Sequence, residues 1–176
     1  MNYTVDRTQP HPRIKGIYRL RRDGAEIGWI GAGTRIGEGV WISKGAEIGA
    51  GAEIGAGAWI GKDARIGKVA RIGAGAWIGK DARIGKDAWI GAGARIGAGA
   101  EIKSIYDYMI VGGIGSRQDT TTFYRCKDGL IRVNCGCFNG TLDGFEAAVH
   151  ENHAGNEHEK AYMAAIRMAK EIMIHD

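Results

Sequence analysis

Isoleucine recurs every six residues through the middle of the chain, from Ile30 through Ile36, Ile42, Ile48, Ile54, Ile60, Ile66, Ile72, Ile78, Ile84, Ile90 and Ile96 to Ile102, thirteen positions in register without an insertion. Two residues before each one, from Ala46 to Ala100, stands an alanine; Thr34 and Val40 fill that slot earlier. Side chains of an extended segment alternate between two faces, so the alanine and the isoleucine point one way and the residue between them points the other. The first set predicts the core. The second set, which includes Trp29, Arg35, Glu47, Glu53, Arg65, Arg71, Arg83, Trp89 and Glu101, predicts the solvent side. Glycine follows nearly every isoleucine, with Ser43 and Lys103 as the departures, and opens a corner such as Gly31-Ala32-Gly33 or Gly61-Lys62-Asp63. Glycine and aspartate suit the positive φ that such corners need. Gly67-Lys68-Val69 places a β-branched residue at that point, which predicts a local adjustment of the backbone.

A six-residue unit is too short for a strand plus a hairpin. Its strands cannot alternate direction, so they must wind as a coil. An α-helix is excluded because a period of six does not match 3.6 and the glycines would destroy it. The pattern of an aliphatic residue, a glycine, two variable residues and a small residue resembles the hexapeptide-repeat superfamily over residues 30–102. That resemblance implies a left-handed parallel β-helix, a triangular prism with three repeats per coil. Four complete coils at a strand spacing of ~4.8 Å make a rod of roughly 20 Å. Residues 1–29 are expected to form an N-terminal cap or irregular coil through Ile17, Leu20 and Ile27. Residues 30–115 are assigned to the β-helix, with Tyr108 and Ile114 completing its last coil.

Beyond the repeat the period changes. A strand over Thr120–Tyr124, a turn at Lys127-Asp128-Gly129 and a strand over Leu130–Cys135 predict a hairpin. Thr141 is a good N-cap for a helix carrying Leu142, Phe145 and Val149, which Gly155 should end. A second helix is expected from about Glu157 to Ile174, with Tyr162, Ala165, Ile166, Ala169, Ile172 and Met173 on one stripe. The fold class is therefore mainly β: a β-helix with a small C-terminal α+β tail over residues 116–176. The tail is too short for a large core of its own and is expected to close an end or a side of the prism.

Composition narrows the chemistry. The net charge is +4, with six basic and three acidic groups in residues 1–29, ten and seven in 30–102, and eight and ten in 103–176. No concentrated patch results, so nucleic acid is not an expected partner, and the Arg19, Arg21 and Arg22 cluster reads as a solvated edge. The N-terminal residues Met1 to Pro12 are polar and no segment reaches the ~20 apolar residues of a membrane span, so a cytoplasmic location is expected. Three cysteines, Cys126, Cys135 and Cys137, give no disulfide framework.

Acyltransferases of the superfamily use a histidine projecting from a coil, and their carbonic-anhydrase relatives hold zinc with three histidines. Here the histidines are His11, His150, His153, His158 and His175, none of them in residues 30–102. The expectation is a binding or scaffold protein without cofactor, with an acyl-CoA-dependent acyltransferase using a displaced histidine as the alternative. Four residue groups are candidates. Cys135, Cys137, His150 and His153 offer ligand types that suit zinc. Gly112-Gly113-Ile114-Gly115-Ser116-Arg117, followed by Asp119, Thr120 and Thr122, offers glycines, a cation and hydroxyls to a small anionic ligand. His150 or His153 could serve catalysis across a subunit boundary. With 18 residues per coil, Trp41, Trp59 and Trp77 stack in one column with Arg95 next in line. That makes an apolar ridge which a monomer seldom exposes. The superfamily assembles as trimers, so the ridge is assigned to a homotrimer or protein-partner interface, with the tail as the competing cover and an Arg95–Trp77 cation–π contact as an extension.

Overall fold

The computed structural model describes residues 2–116 and 118–173. Three strands open the chain: β1 (Tyr3–Pro10), β2 (Ile17–Arg22) and β3 (Ala25–Gly31). Short strands of two or three residues follow, from β4 (Arg35–Ile36) to β15 (Glu101–Ile102). They form the three faces of a parallel β-helix. Trp41 pairs with Trp59, Trp59 with Trp77, and Trp77 with Arg95, each in parallel and eighteen residues apart. The ladder runs one way: the Trp41, Trp59 and Trp77 N–H groups donate to the Ala58, Ala76 and Ala94 carbonyls, each at 2.8 Å. Every isoleucine from Ile42 to Ile102 is buried, as is every alanine that stands two residues before one of them, from Ala46 to Ala100. Each buried isoleucine adds about 1.5–3 kcal/mol of transfer free energy.

The corner glycines do two different jobs. The glycine directly after isoleucine does not take positive φ. A Cβ on Gly61 would lie 2.6 Å from the Gly79 carbonyl carbon of the next coil, so no side chain fits between the stacked corners. The third corner residue is the one in the left-handed region: Gly57 at φ +68°, Asp63 at +57°, Asp81 at +58°. Val69 shares that conformation at +59°, so the corner keeps its geometry and the valine absorbs the strain, rather than the backbone adjusting around it.

Both ends of the prism are closed, neither by an irregular coil. β1, β2 and β3 pair antiparallel, and β3 then joins the face of Glu47 and Arg65 in parallel. Leu20 and Ile27 fill the first coil, and the Tyr3 hydroxyl both donates to the Val40 carbonyl and accepts from the Ile42 N–H. At the far end the chain makes a short 3-10 turn, Ile105–Asp107, and then β16 (Tyr108–Ile114), which is not a further coil. It pairs antiparallel with β17 (Asp119–Arg125), with an irregularity between Val111 and Ile114 where Gly112 and Gly113 stand. β18 (Ile131–Cys135) and β19 (Phe138–Thr141) complete a four-stranded sheet in place of the expected simple hairpin. Strand alternation sends Tyr124 and Cys126 into the prism core and Phe123 into the opposite core, beneath α1 (Leu142–His153) and α2 (Glu157–Met173). The tail thus sits on the end of the prism: Ala100 bridges Cys126, and the Lys127 N–H donates to the Gly99 carbonyl.

Local chemistry holds the joint. The Thr141 hydroxyl accepts from the Gly144 N–H at 3.2 Å and caps α1. Asn156 caps α2, its side-chain oxygen accepting from the N–H groups of His158 and Glu159. Burial raises the Asp107 carboxyl, but N–H donation from Lys103 and Ser104, the Ser104 hydroxyl and the Arg125 guanidinium outweigh it and hold the group below its ordinary range. Arg125 in turn donates to the Met173 carbonyl at the end of α2. No helix among the described residues is long and apolar enough to cross a membrane.

Candidate functional site

The tryptophan ridge is on one face of the prism, and the tail does not cover it. Trp59 and Trp77 are 45% and 49% exposed. Trp41 and Trp59 stack with ring centroids 5.3 Å apart and planes inclined by 20°. The cation on the ridge stands at the opposite end from the one expected: the Arg22 guanidinium lies 4.1 Å over the Trp41 ring, while Arg95 carries its backbone N–H to the Thr122 hydroxyl at the tail joint. Arg19 lies likewise over Trp29 at 3.8 Å, and Arg21 pairs with Asp6 and Glu26. The arginine cluster of β2 therefore clamps the first coil.

The other two columns carry charge pairs between coils. Glu47 meets Arg65 at 3.6 Å, Arg83 meets Glu101 at 3.8 Å, and Glu53 meets Arg35 at 3.0 Å and Arg71 at 3.8 Å. Asp107 does not extend the Arg35 column, because the chain has turned away and the carboxylate binds Arg125 at 3.0 Å. The corners differ as well. Those entering the face at Trp59, Trp77 and Arg95 read Gly55-Ala56-Gly57, Gly73-Ala74-Gly75 and Gly91-Ala92-Gly93, without charge; the one before Trp41 carries Glu38, and those leaving the face carry Lys44, Lys62 and Lys80. An uncharged corner beside stacked tryptophans makes one continuous apolar strip. Trp89, on a neighbouring face, is isolated and 65% exposed.

The residues assigned to a metal do not converge. Among the described residues no group of three or more histidine, cysteine, aspartate or glutamate side chains could hold an ion. His150 is taken by Glu159 at 2.6 Å. His153 packs on the Tyr162 and His158 rings with centroids 5.6 and 5.8 Å away. The Cys135 sulfur accepts from the Thr121 hydroxyl at 3.1 Å and lies 3.7 Å from the Tyr162 hydroxyl. The proposed anion residues do not converge either. Thr122 is fully buried and accepts the Arg95 N–H, Asp119 accepts the Thr120 N–H at 2.7 Å, and Arg117 lies outside the described residues.

Three of the four metal candidates, Cys135, Cys137 and His153, do share a cleft of about 470 Å³ between the β18–β19 turn and the helices. Phe138, Phe145 and Tyr162 form its aromatic wall. In the sequence Phe145 and Tyr162 read as helix stripes facing a core, and no linear pattern separates a ring that fills a core from one that lines a cleft. A second crevice, about 230 Å³, runs beside a corner of the prism and is overhung by His11 and Ile14. Arg65, Lys68 and Lys86 give it basic edges, and His11 meets Trp29 edge-on at 4.6 Å. Sequence reasoning missed His11 because it lies outside the repeat. The signal was its place just ahead of β2, the strand that pairs with the one joining the prism.

The His11 Nδ1 accepts from the Arg13 and Ile14 N–H groups, both at 3.1 Å. A neutral imidazole has one lone pair available in the ring plane, and here the backbone uses it. Nε2 then carries the hydrogen. In this state His11 can donate to an incoming oxygen but cannot take a proton from a substrate.

A comparison with curated proteins finds no match at a significant level. Residues 69–104 match the family described as bacterial transferase hexapeptide (six repeats). The matched repeats continue in register from Ile30 to Ile102 and stack as a parallel solenoid, so the prism is a β-solenoid of hexapeptide repeats similar to that family.

Proposed function

We propose that this protein is a non-enzymatic scaffold that assembles as a homotrimer through its tryptophan face and holds three α+β tails outward for a binding role in the cytoplasm. The observation that carries the reading is the exposure of Trp59 and Trp77, where the entering corners hold only glycine and alanine. A second copy of the chain can remove that strip from water with little desolvation of charged groups. Light scattering on the purified protein tests it. The expected result is a trimer that Trp59→Glu converts to folded monomers; a wild-type monomer, or a trimer unaffected by Trp59→Glu, overturns it.

The acyl-CoA-dependent acyltransferase is the second reading, favoured by the family's transferase name and by the basic crevice under His11. Against it stands the engaged Nδ1 lone pair. Turnover of acetyl-CoA with an amine acceptor, abolished by His11→Ala, would establish this reading over the first.

A further inference from the structure

We infer that the tail cleft is a binding site for a small, planar, uncharged aromatic molecule. Its volume of about 470 Å³ falls in the range of small-molecule sites. Phe138 and Phe145 stand 5.1 Å apart, and Phe145 meets Tyr162 edge-on at 5.5 Å, so the wall offers ring faces and ring edges together. A flat π-system stacks against such a wall in offset or edge-to-face geometry.

The wall is held in advance. A Cβ on Gly115 would collide with the Tyr162 hydroxyl, so only glycine allows the tyrosine its position. The Cys135 sulfur lies 3.7 Å from the same hydroxyl. Phe145, Val149 and Tyr162 are buried and form the floor of the cleft, while half-buried Phe138 and exposed Cys137 stand at its rim. A preformed wall reduces the ordering cost of binding.

Charge sets the ligand class. No lysine, arginine, aspartate or glutamate is among the described residues that line this cleft. An ionised ligand would lose hydration there without a countercharge. Polar anchoring falls to the Ser116 hydroxyl, the Cys137 thiol, the His153 ring and Asn152, whose amide nitrogen is held by the Ala148 carbonyl at 2.8 Å. A ligand with one or two hydrogen-bonding groups on an aromatic frame satisfies both requirements. The crevice under His11, edged by Arg65, Lys68 and Lys86, is the opposite case.

Cys137 reports on occupancy. It occupies the two-residue Gly136-Cys137 turn between the paired residues Cys135 and Phe138, it is exposed, and it lines the cleft. Cys126 is buried in the prism end and Cys135 is half-buried, so mild iodoacetamide reaches Cys137 first.

The inference stands apart from the assembly reading and is tested on the full chain in whatever oligomeric state it takes. N-phenylnaphthylamine, a neutral fluorescent probe, is titrated into wild type, Ala148→Trp and Trp59→Glu. The expected result is saturable binding that Ala148→Trp weakens about tenfold or more and Trp59→Glu leaves unchanged. The sulfonated analogue anilinonaphthalene sulfonate should bind about tenfold more weakly than the neutral probe. Should Ala148→Trp fail to fold, alkylation decides: carbamidomethylated wild type should lose probe affinity, and Cys137→Ser treated in the same way should keep it. No saturable binding, loss of binding in Trp59→Glu, or equal affinity for the sulfonate overturns the inference.

Discussion

The prism and the tail solve the problem of making a core in opposite ways. In the prism, one isoleucine and one alanine per strand are set in the same environment again and again, and each strand finds its neighbour eighteen residues along the chain. In the tail, no environment occurs twice. Phe123 meets Phe145 at 6.1 Å, Phe145 meets Phe138 and Tyr162, and Lys170 reaches back to Glu146 at 2.6 Å. A repeated core is specified by a short rule, and every coil rests on the one before it. A core without repetition is specified contact by contact, which leaves room for a cleft among its aromatic rings.

The largest break in this comparison comes from one charge in the repeat. Ile66→Asp places an unpaired carboxylate in a dry stack and should cost about 4 kcal/mol or more, seen as loss of cooperative unfolding in urea. Ile66→Val should cost only about 0.5–1.5 kcal/mol. Wild-type-like melting of the aspartate variant would place Ile66 outside the core.

The two glycine jobs give the next contrast. Gly61→Ala forces a Cβ into the backbone of the following coil and should cost about 3 kcal/mol or more. Gly57 has positive φ but open space around its Cβ position, so Gly57→Ala should cost only about 1–2 kcal/mol. Equal losses in the two melts would refute the division of labour.

The joint between the regions should show in alkali. Burial, then the neighbouring Cys126 thiol, push the Tyr124 hydroxyl up to about 12. A group raised in this way contributes stability fully below its unfolded value near 10 and loses it as pH climbs through about 12. The effect is on the order of 2–3 kcal/mol. A spectrophotometric titration should show a late tyrosine phase, and Tyr124→Phe should remove it.

The smallest effect is a gain. Val69→Asp restores the residue type found at the equivalent corner position in Asp63, Asp81 and Asp87, all at positive φ. It should stabilise the prism by about 1 kcal/mol, read as a raised midpoint in urea. A lower midpoint would mean that the half-exposed valine side chain contributes more than its backbone costs.

How much was legible in the sequence follows from the same contrast. The inward alanine and isoleucine and the tryptophan column could be counted, because each pairing partner is a fixed distance away along the chain. Both tail helices were legible from their stripes and from the Thr141 cap. The closures were not. Tyr124 and Cys126 plug the prism from a strand that also faces another core, and nothing in Thr120–Tyr124 says which face meets which partner. Tyr108–Ile114 lies at a spacing that fits another coil, yet it pairs with Asp119–Arg125, because the chain reverses after Ile114 in a turn where the Gln118 N–H donates to the Gly115 carbonyl. The tryptophan ridge was legible as a column. Its arginine clamp at the Trp41 end was not, since Arg22 reaches the ring from a strand of the N-terminal sheet.

The one-way ladder also makes the rod a ruler with a built-in angle. Each coil of eighteen residues advances the axis by one strand spacing, ~4.8 Å, and returns the chain to the same face. Duplicating residues 61–78 would lengthen the span between the N-terminal sheet and the tail and leave their relative rotation unchanged. Gaining six residues would swing the tail by a third of a turn, away from its present alignment with the tryptophan face. In-frame duplication within so uniform a coding sequence thus tunes reach and azimuth separately, without redesigning either end.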